Sequence, residues 1–180
     1  KKDDNYSKYL IQLNKIAKKI REDRLENGAF NFGSEEIKFK LDENKKPIKI
    51  FKKVRKDTHK MVEEYMLMAN KIVAEKINEI EKKNKKNYTF VYRIHEDPDK
   101  EKLIELKNFI KQFGYSINTE GQGLSTSLNH LMKKIKNKPE ESSIEKFAIR
   151  SMSKAKYSVK KEKHFGLAFK NYTHFTSPIR

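Results

Sequence analysis

Thr58-His-Lys-Met-Val-Glu-Glu-Tyr-Met-Leu-Met-Ala-Asn-Lys-Ile-Val-Ala-Glu-Lys-Ile-Asn-Glu-Ile-Glu-Lys82 is the stretch that sets the fold. It carries no Gly or Pro, and its apolar residues recur at helical spacing, which predicts one long helix with Met61, Val62, Tyr65, Met66, Ala69, Ile72, Val73 and Ile77 on the buried side. Methionines in such a stripe are core filling before they are ligands. Glu63 and Glu64 sit beside buried positions, and Asn70 lies two turns after Glu63 on the same side. Those carboxylates have two readings, a functional pair and a favourable charge near the helix start.

Upstream, Tyr6, Tyr9, Leu10, Leu13, Ile16, Ala17 and Ile20 mark one face of an opening helix that ends near Asn27-Gly28. Ile37, Phe39 and Leu41 alternate with charged residues, Asp42 to Lys46 supply turn chemistry, and Ile48 and Ile50 alternate again, so a β-hairpin follows. Downstream, Lys82 to Asn87 reads as a solvated loop and Phe90 to His95 as a short extended segment. Asp97-Pro98 predicts an N-cap with proline in the first turn, and Leu103, Ile104, Leu106, Phe109, Ile110 and Phe113 carry that helix to a stop at Gly114. Ser116 to Thr126 reads as a loop, Leu128 to Ile135 as a short helix, and Pro139 opens another with Ile144, Phe147, Ala148 and Met152 inward. Near the end, Phe165, Leu167 and Phe169 alternate like a strand whose other face, Gly166 and Ala168, is nearly bare and open to close approach by a helix or a ligand backbone. The expected class is α+β, helix-rich, with a hairpin and short strands, and neither an internal repeat nor a second domain boundary is visible.

The 180 residues include 42 Lys and Arg against 25 Asp and Glu, giving a formal charge of +17. Such a charge attracts polyanions, although the lysine excess is equally what AT-rich codon usage produces. With no cysteine, thiolate catalysis, thiolate metal sites and disulfides are excluded. No run approaches the roughly 20 apolar residues that cross a bilayer, and the polar start has no signal-peptide core, so a cytoplasmic protein is expected. There is no Walker loop, no GxSxG elbow, no metal spacing among the histidines, and no cluster of three carboxylates.

The final segment, His174-Phe-Thr-Ser-Pro-Ile-Arg180, carries the most chemistry. Thr176 or Ser177 makes a good N-cap, Pro178 suits a first helical turn, and Arg180 falls within that turn, so N–H groups, hydroxyls and a guanidinium converge where one phosphate would fit. An ordinary capped helix start with a surface arginine has the same pattern. From Arg150 to Arg180 there are eight Lys or Arg and one acid, Glu162, which concentrates positive charge there. Arg93 and His95 share one face of their extended segment and could meet phosphate or sugar, while a lone histidine is more often structural.

In order along the chain, His59-Lys-Met-Val-Glu-Glu-Tyr-Met-Leu-Met-Ala-Asn70, Tyr92-Arg-Ile-His-Glu96 with Pro98, Ala148-Ile-Arg-Ser-Met-Ser-Lys-Ala155, His164-Phe-Gly-Leu-Ala-Phe169 and Tyr172-Thr-His-Phe-Thr-Ser-Pro-Ile-Arg180 resemble the second half of the ribonuclease II/ribonuclease R catalytic domain, closer to the ribonuclease R branch. The resemblance implies a processive 3′→5′ exoribonuclease that threads single-stranded RNA into a basic channel and releases nucleoside 5′-monophosphates with Mg²⁺. It implies that Arg180 contacts phosphate and that Glu63 or Glu64, which the motif does not separate, helps position the 3′-terminal nucleotide. His174, Thr176 and Ser177 belong to the same motif, and Tyr172, Arg93, His95, Asn70 and Gly166 are carried with it as RNA-contacting candidates.

The resemblance also implies parts that this chain does not carry. The family's magnesium-binding aspartates lie in an upstream half of the domain, oligonucleotide-binding β-barrels flank it, and a further arginine, a tyrosine and a helix follow the position of Arg180. The expectation is therefore a piece of a monomeric enzyme, inactive alone, with apolar faces meant for the missing half. A second reading is a non-catalytic RNA-binding module derived from that family.

Overall fold

The computed structural model describes residues 6–30, 36–53, 55–119 and 123–177. Among them are α1 (Ser7–Glu26), β1 (Glu36–Leu41), β2 (Pro47–Lys53), α2 (Asp57–Asn84), β3 (Tyr92–Ile94), α3 (Lys100–Lys111), α4 (Gly123–Ile135), α5 (Glu141–Ser151), β4 (Lys156–Ser158) and a 3₁₀ turn (Phe165–Leu167). The class is α+β and helix-rich. Among the described residues no helix is long and apolar enough to cross a membrane.

Local chemistry sets most of the boundaries. His59 Nδ1 accepts from Lys56 N at 3.2 Å at the start of α2, and Lys85 takes a left-handed conformation, φ 49°, at its end. The Asp99 carboxylate caps α3 by accepting from Glu101 N at 2.9 Å and Lys102 N at 3.3 Å, so the cap is Asp99 and not the expected Asp97. Gly114, φ 78°, ends that turn. The hairpin pairs Phe39 with Ile50 in antiparallel register.

The main core joins α3, α4 and α5. Leu103, Leu106 and Ile110 meet Leu124, Leu128, Leu131 and Ile135, and Ile117, Ile144 and Ala148 close the cluster. Reaching Leu124 requires α4 to begin at Gly123, inside what the sequence reads as a loop; burial of a third leucine outweighs the poor helix propensity of Gly123. A second small cluster, Ala74, Tyr92 and Ile94, seats β3 against α2.

Two further expectations are corrected. The buried stripe of α2 is Glu64, Leu67, Asn70, Ala74 and Glu81, rotated by roughly 140° from the apolar face; Val62 and Ile72 are exposed. Phe165 to Phe169 is a 3₁₀ turn with isolated bridges and not a strand, because Ala168 turns left-handed at φ 55°. The strand that does form, β4, lies earlier and pairs antiparallel with β3. Tyr6, the apolar residues of α1 from Tyr9 to Ile16 and those of the hairpin stand exposed, an open surface of the kind that marks contact with further protein.

Candidate nucleic-acid interface

Asn70 organises the site. It is completely buried on α2, where its Oδ1 accepts from Thr176 N at 2.6 Å and its Nδ2 donates to Thr176 O at 2.8 Å and to the Tyr172 hydroxyl at 2.9 Å. A single amide thus satisfies both main-chain groups of Thr176, as a neighbouring strand would, and fixes a segment 106 residues away on α2. The Thr176 hydroxyl oxygen is buried and has no hydrogen-bond partner. Burial raises the Tyr172 phenol above its ordinary pKa, against the Asn70 hydrogen bond and the nearby Arg24 and Arg93 cations, while the Glu63 carboxylate adds to the rise.

The two adjacent glutamates have separate partners. Glu64 is buried and takes a fork of two bonds from Arg24, Nε at 3.1 Å and Nη2 at 2.5 Å, which ties the end of α1 to the start of α2. Glu63 lies partly open and pairs with Arg55 just ahead of α2. Burial and a bidentate partner make Glu64 a structural anchor, and Glu63 is the carboxylate with access to solvent.

Arg93 and His95 diverge although they are two apart in sequence. The Arg93 guanidinium lies 4.5 Å from the centre of the Tyr157 ring, and the His174 ring lies edge to edge with the same tyrosine, 6.0 Å between centres and 12° between planes, joined through the Tyr157 hydroxyl. His95 turns inward. Its Nε2 donates to Ser153 O at 2.7 Å and its Nδ1 accepts from Gly166 N at 3.0 Å, which requires the neutral Nε2–H tautomer. Burial, with Arg93 adding to it, lowers the His95 pKa against the pull of Ser153 O. His164 packs edge-on against His95 and is pushed down to about 3 by burial and by His95 itself. A β-carbon on Gly166 would sit 2.7 Å from His95 Nδ1, so the space beside Gly166 belongs to that ring.

The tail is woven into β3 by its main chain. Arg93 N donates to Tyr172 O at 2.8 Å, His95 N to Lys163 O at 3.1 Å and Phe165 N to His95 O at 2.8 Å, and Thr173 Oγ1 donates to Val91 O at 2.7 Å. Phe30 N also donates to Gly166 O at 3.0 Å, which connects the end of α1 to the same knot. The result is a hydrogen-bonded frame that holds Tyr172 and Thr173 against β3 and Thr176 against α2.

Residues 1–180 match the RNB domain family model. The chain belongs to the RNB domain family. It is 39% identical over 166 residues to Ribonuclease R of Thermotoga maritima, covering 92% of this chain and 22% of that protein. To Ribonuclease R 1 of Lactococcus lactis it is 38% identical, covering 96% and 20%. Mycoplasma genitalium RNase R, solved in complex with ribose methylated single-stranded RNA, superposes with TM-score 0.78 at 29% identity over 95% of this chain and 26% of that one. The chain spans about a fifth of the length of the curated relatives it matches.

Within this RNB domain chain, Asn70, Tyr172 and Thr176 form one contact group; Glu63 and Glu64 stand on the same helix; Arg93 and His174 share Tyr157; His95 and Gly166 make a separate knot. Ser177 is exposed at the end of the described segment, and Pro178, Ile179 and Arg180 lie outside the described residues. Arg24 and Tyr157 join the site only in the folded chain. Arg24 has the signal of a cation in the last turn of a helix, and Tyr157 that of an aromatic between lysines, but neither tells which residue it meets.

Proposed function

We propose that this chain is the RNA-holding part of a processive 3′→5′ exoribonuclease that hydrolyses single-stranded RNA to nucleoside 5′-monophosphates. The observation that carries the reading is the Asn70 bracket, which holds Thr176 of the His174 to Ser177 segment on α2, the helix whose Glu63 acts on the charge of Tyr172. A loop held by main-chain bonds keeps its donors oriented before substrate arrives, which is how phosphate charge is stabilised without reorganisation at the moment of reaction. Arg180, four residues beyond Thr176 in sequence, is assigned to the scissile phosphate, and Glu63 to the terminal ribose, where an accessible carboxylate accepts hydroxyl protons as hydrogen bonds. Support comes from the RNA complex of the M. genitalium relative and from the net charge of +17.

Magnesium belongs to the proposal as an ion held elsewhere in the domain. Among the described residues no group of three His, Cys, Asp or Glu could hold a metal, so these residues do not fit such a site and no step is routed through one. The share of this chain in the reaction is binding and orientation.

The test is degradation of end-labelled single-stranded RNA by the full-length protein, with products separated by chromatography. Release of 5′-monophosphates from the 3′ end, reduced by Arg180→Ala with the fold intact, is the expected result. RNA bound without hydrolysis would replace the reading with a non-catalytic module.

A further inference from the structure

We propose that Arg93, Tyr157 and His174 form a stacking platform for one unpaired nucleobase beside the anchored 174–177 segment. The inference rests on the RNA-binding reading above. Arg93 and Tyr157 are direct partners across the antiparallel pair β3–β4, so both side chains leave the same face of the small sheet. The Arg93 guanidinium lies over the Tyr157 ring at 4.5 Å, and the Tyr157 hydroxyl meets His174 Nδ1 at 2.5 Å with the two rings 12° from parallel. Three flat groups orient one another before any ligand arrives.

Tyr157 is nevertheless 56% exposed, and His174 is exposed beside it. Of the neighbouring tyrosines, Tyr92 and Tyr172 are buried and hydrogen-bonded, and Tyr157 alone faces solvent. An ordered, solvent-facing aromatic surface with a guanidinium over one face suits a nucleobase, which stacks on the other face while the cation meets the backbone charge. Arg93 N donates to Tyr172 O at 2.8 Å, and Asn70 holds Thr176, so the platform and the segment expected to face phosphate move as one piece. A base stacked on Tyr157 must be unpaired, because a duplex hides its base faces.

The experiment compares wild type, Tyr157→Leu and Tyr157→Phe of the full chain by fluorescence anisotropy at fixed salt, using a labelled oligoadenylate and a strand of equal length with abasic residues. Circular dichroism checks that each variant is folded. Tyr157→Leu should weaken oligoadenylate binding about 5- to 50-fold and leave the abasic strand unchanged, whereas Tyr157→Phe stays within about two-fold of wild type. Equal weakening on both strands, or on neither, overturns the platform. Wild type that holds both strands equally overturns the platform and leaves RNA binding standing; wild type that holds neither overturns both.

Discussion

Asn70 pairs with the Thr176 main chain through both atoms of its amide, Oδ1 to N at 2.6 Å and Nδ2 to O at 2.8 Å, from a fully buried position on α2. Replacing it with leucine keeps the volume and strands two main-chain groups and the Tyr172 hydroxyl. Each buried group left unpaired costs about 1–3 kcal/mol. Asn70→Leu should therefore lower the melting temperature by roughly 5–15 °C in a thermal scan. An unchanged melting temperature would show that water replaces the bracket.

The Arg24–Glu64 fork is buried on both sides, whereas Arg55–Glu63 is half open. Removing one partner of a buried pair costs about 3–5 kcal/mol, because the other charge is left in the interior. Arg24→Ala should destabilise by that amount in urea, and Glu63→Gln by less than about 1 kcal/mol. Equal losses would mean that the two glutamates are not distinguished by burial.

Gly166→Ala places a β-carbon 2.7 Å from His95 Nδ1 and 3.0 Å from Cε1. The ring cannot step aside without giving up Ser153 O or Gly166 N, so the clash becomes strain of about 1–3 kcal/mol. Thermal melting measures the loss, and a displaced His95 ring resonance should accompany it.

His164 carries a pH signature. Its folded pKa, about 3, lies below the ordinary value of 6.5, so the unfolded chain binds the extra proton first. The stability it contributes is complete above pH 6.5 and is lost as pH falls, by up to about 1.4 kcal/mol per unit, until about 3. His95, also lowered by burial, acts in the same direction. Urea midpoints at pH 7.5, 6 and 5 should fall more steeply for wild type than for His164→Phe; parallel curves would remove His164 as a source of acid sensitivity.

The hairpin, the extents of α1 and α2, the core leucines of α3, and Leu128 and Leu131 of α4 were legible because each depends on neighbours within a few residues, through periodicity, turn chemistry and capping, whereas Leu124 lies in a stretch that reads as a loop. The resemblance of its motifs likewise placed the chain in its family. The buried face of α2 was not legible. Periodicity selects the apolar side, yet Glu64, Asn70 and Glu81 go inward because Arg24, Thr176, and Lys161 with the Tyr88 amide wait there, between 7 and 106 residues away.

The ribonuclease-family candidates were likewise set by order along the chain, but their division of labour was not. Glu63 and Glu64 are equivalent in sequence and differ only in what packs above them; Arg93 and His95 share a strand face and separate because Tyr157 draws one outward and Gly166 leaves room for the other. Sequence alone determined the elements and the family. The tertiary structure decided which polar residues are anchors and which remain free to meet a ligand, because desolvation and hydrogen-bond partners depend on segments brought together only when the chain is folded.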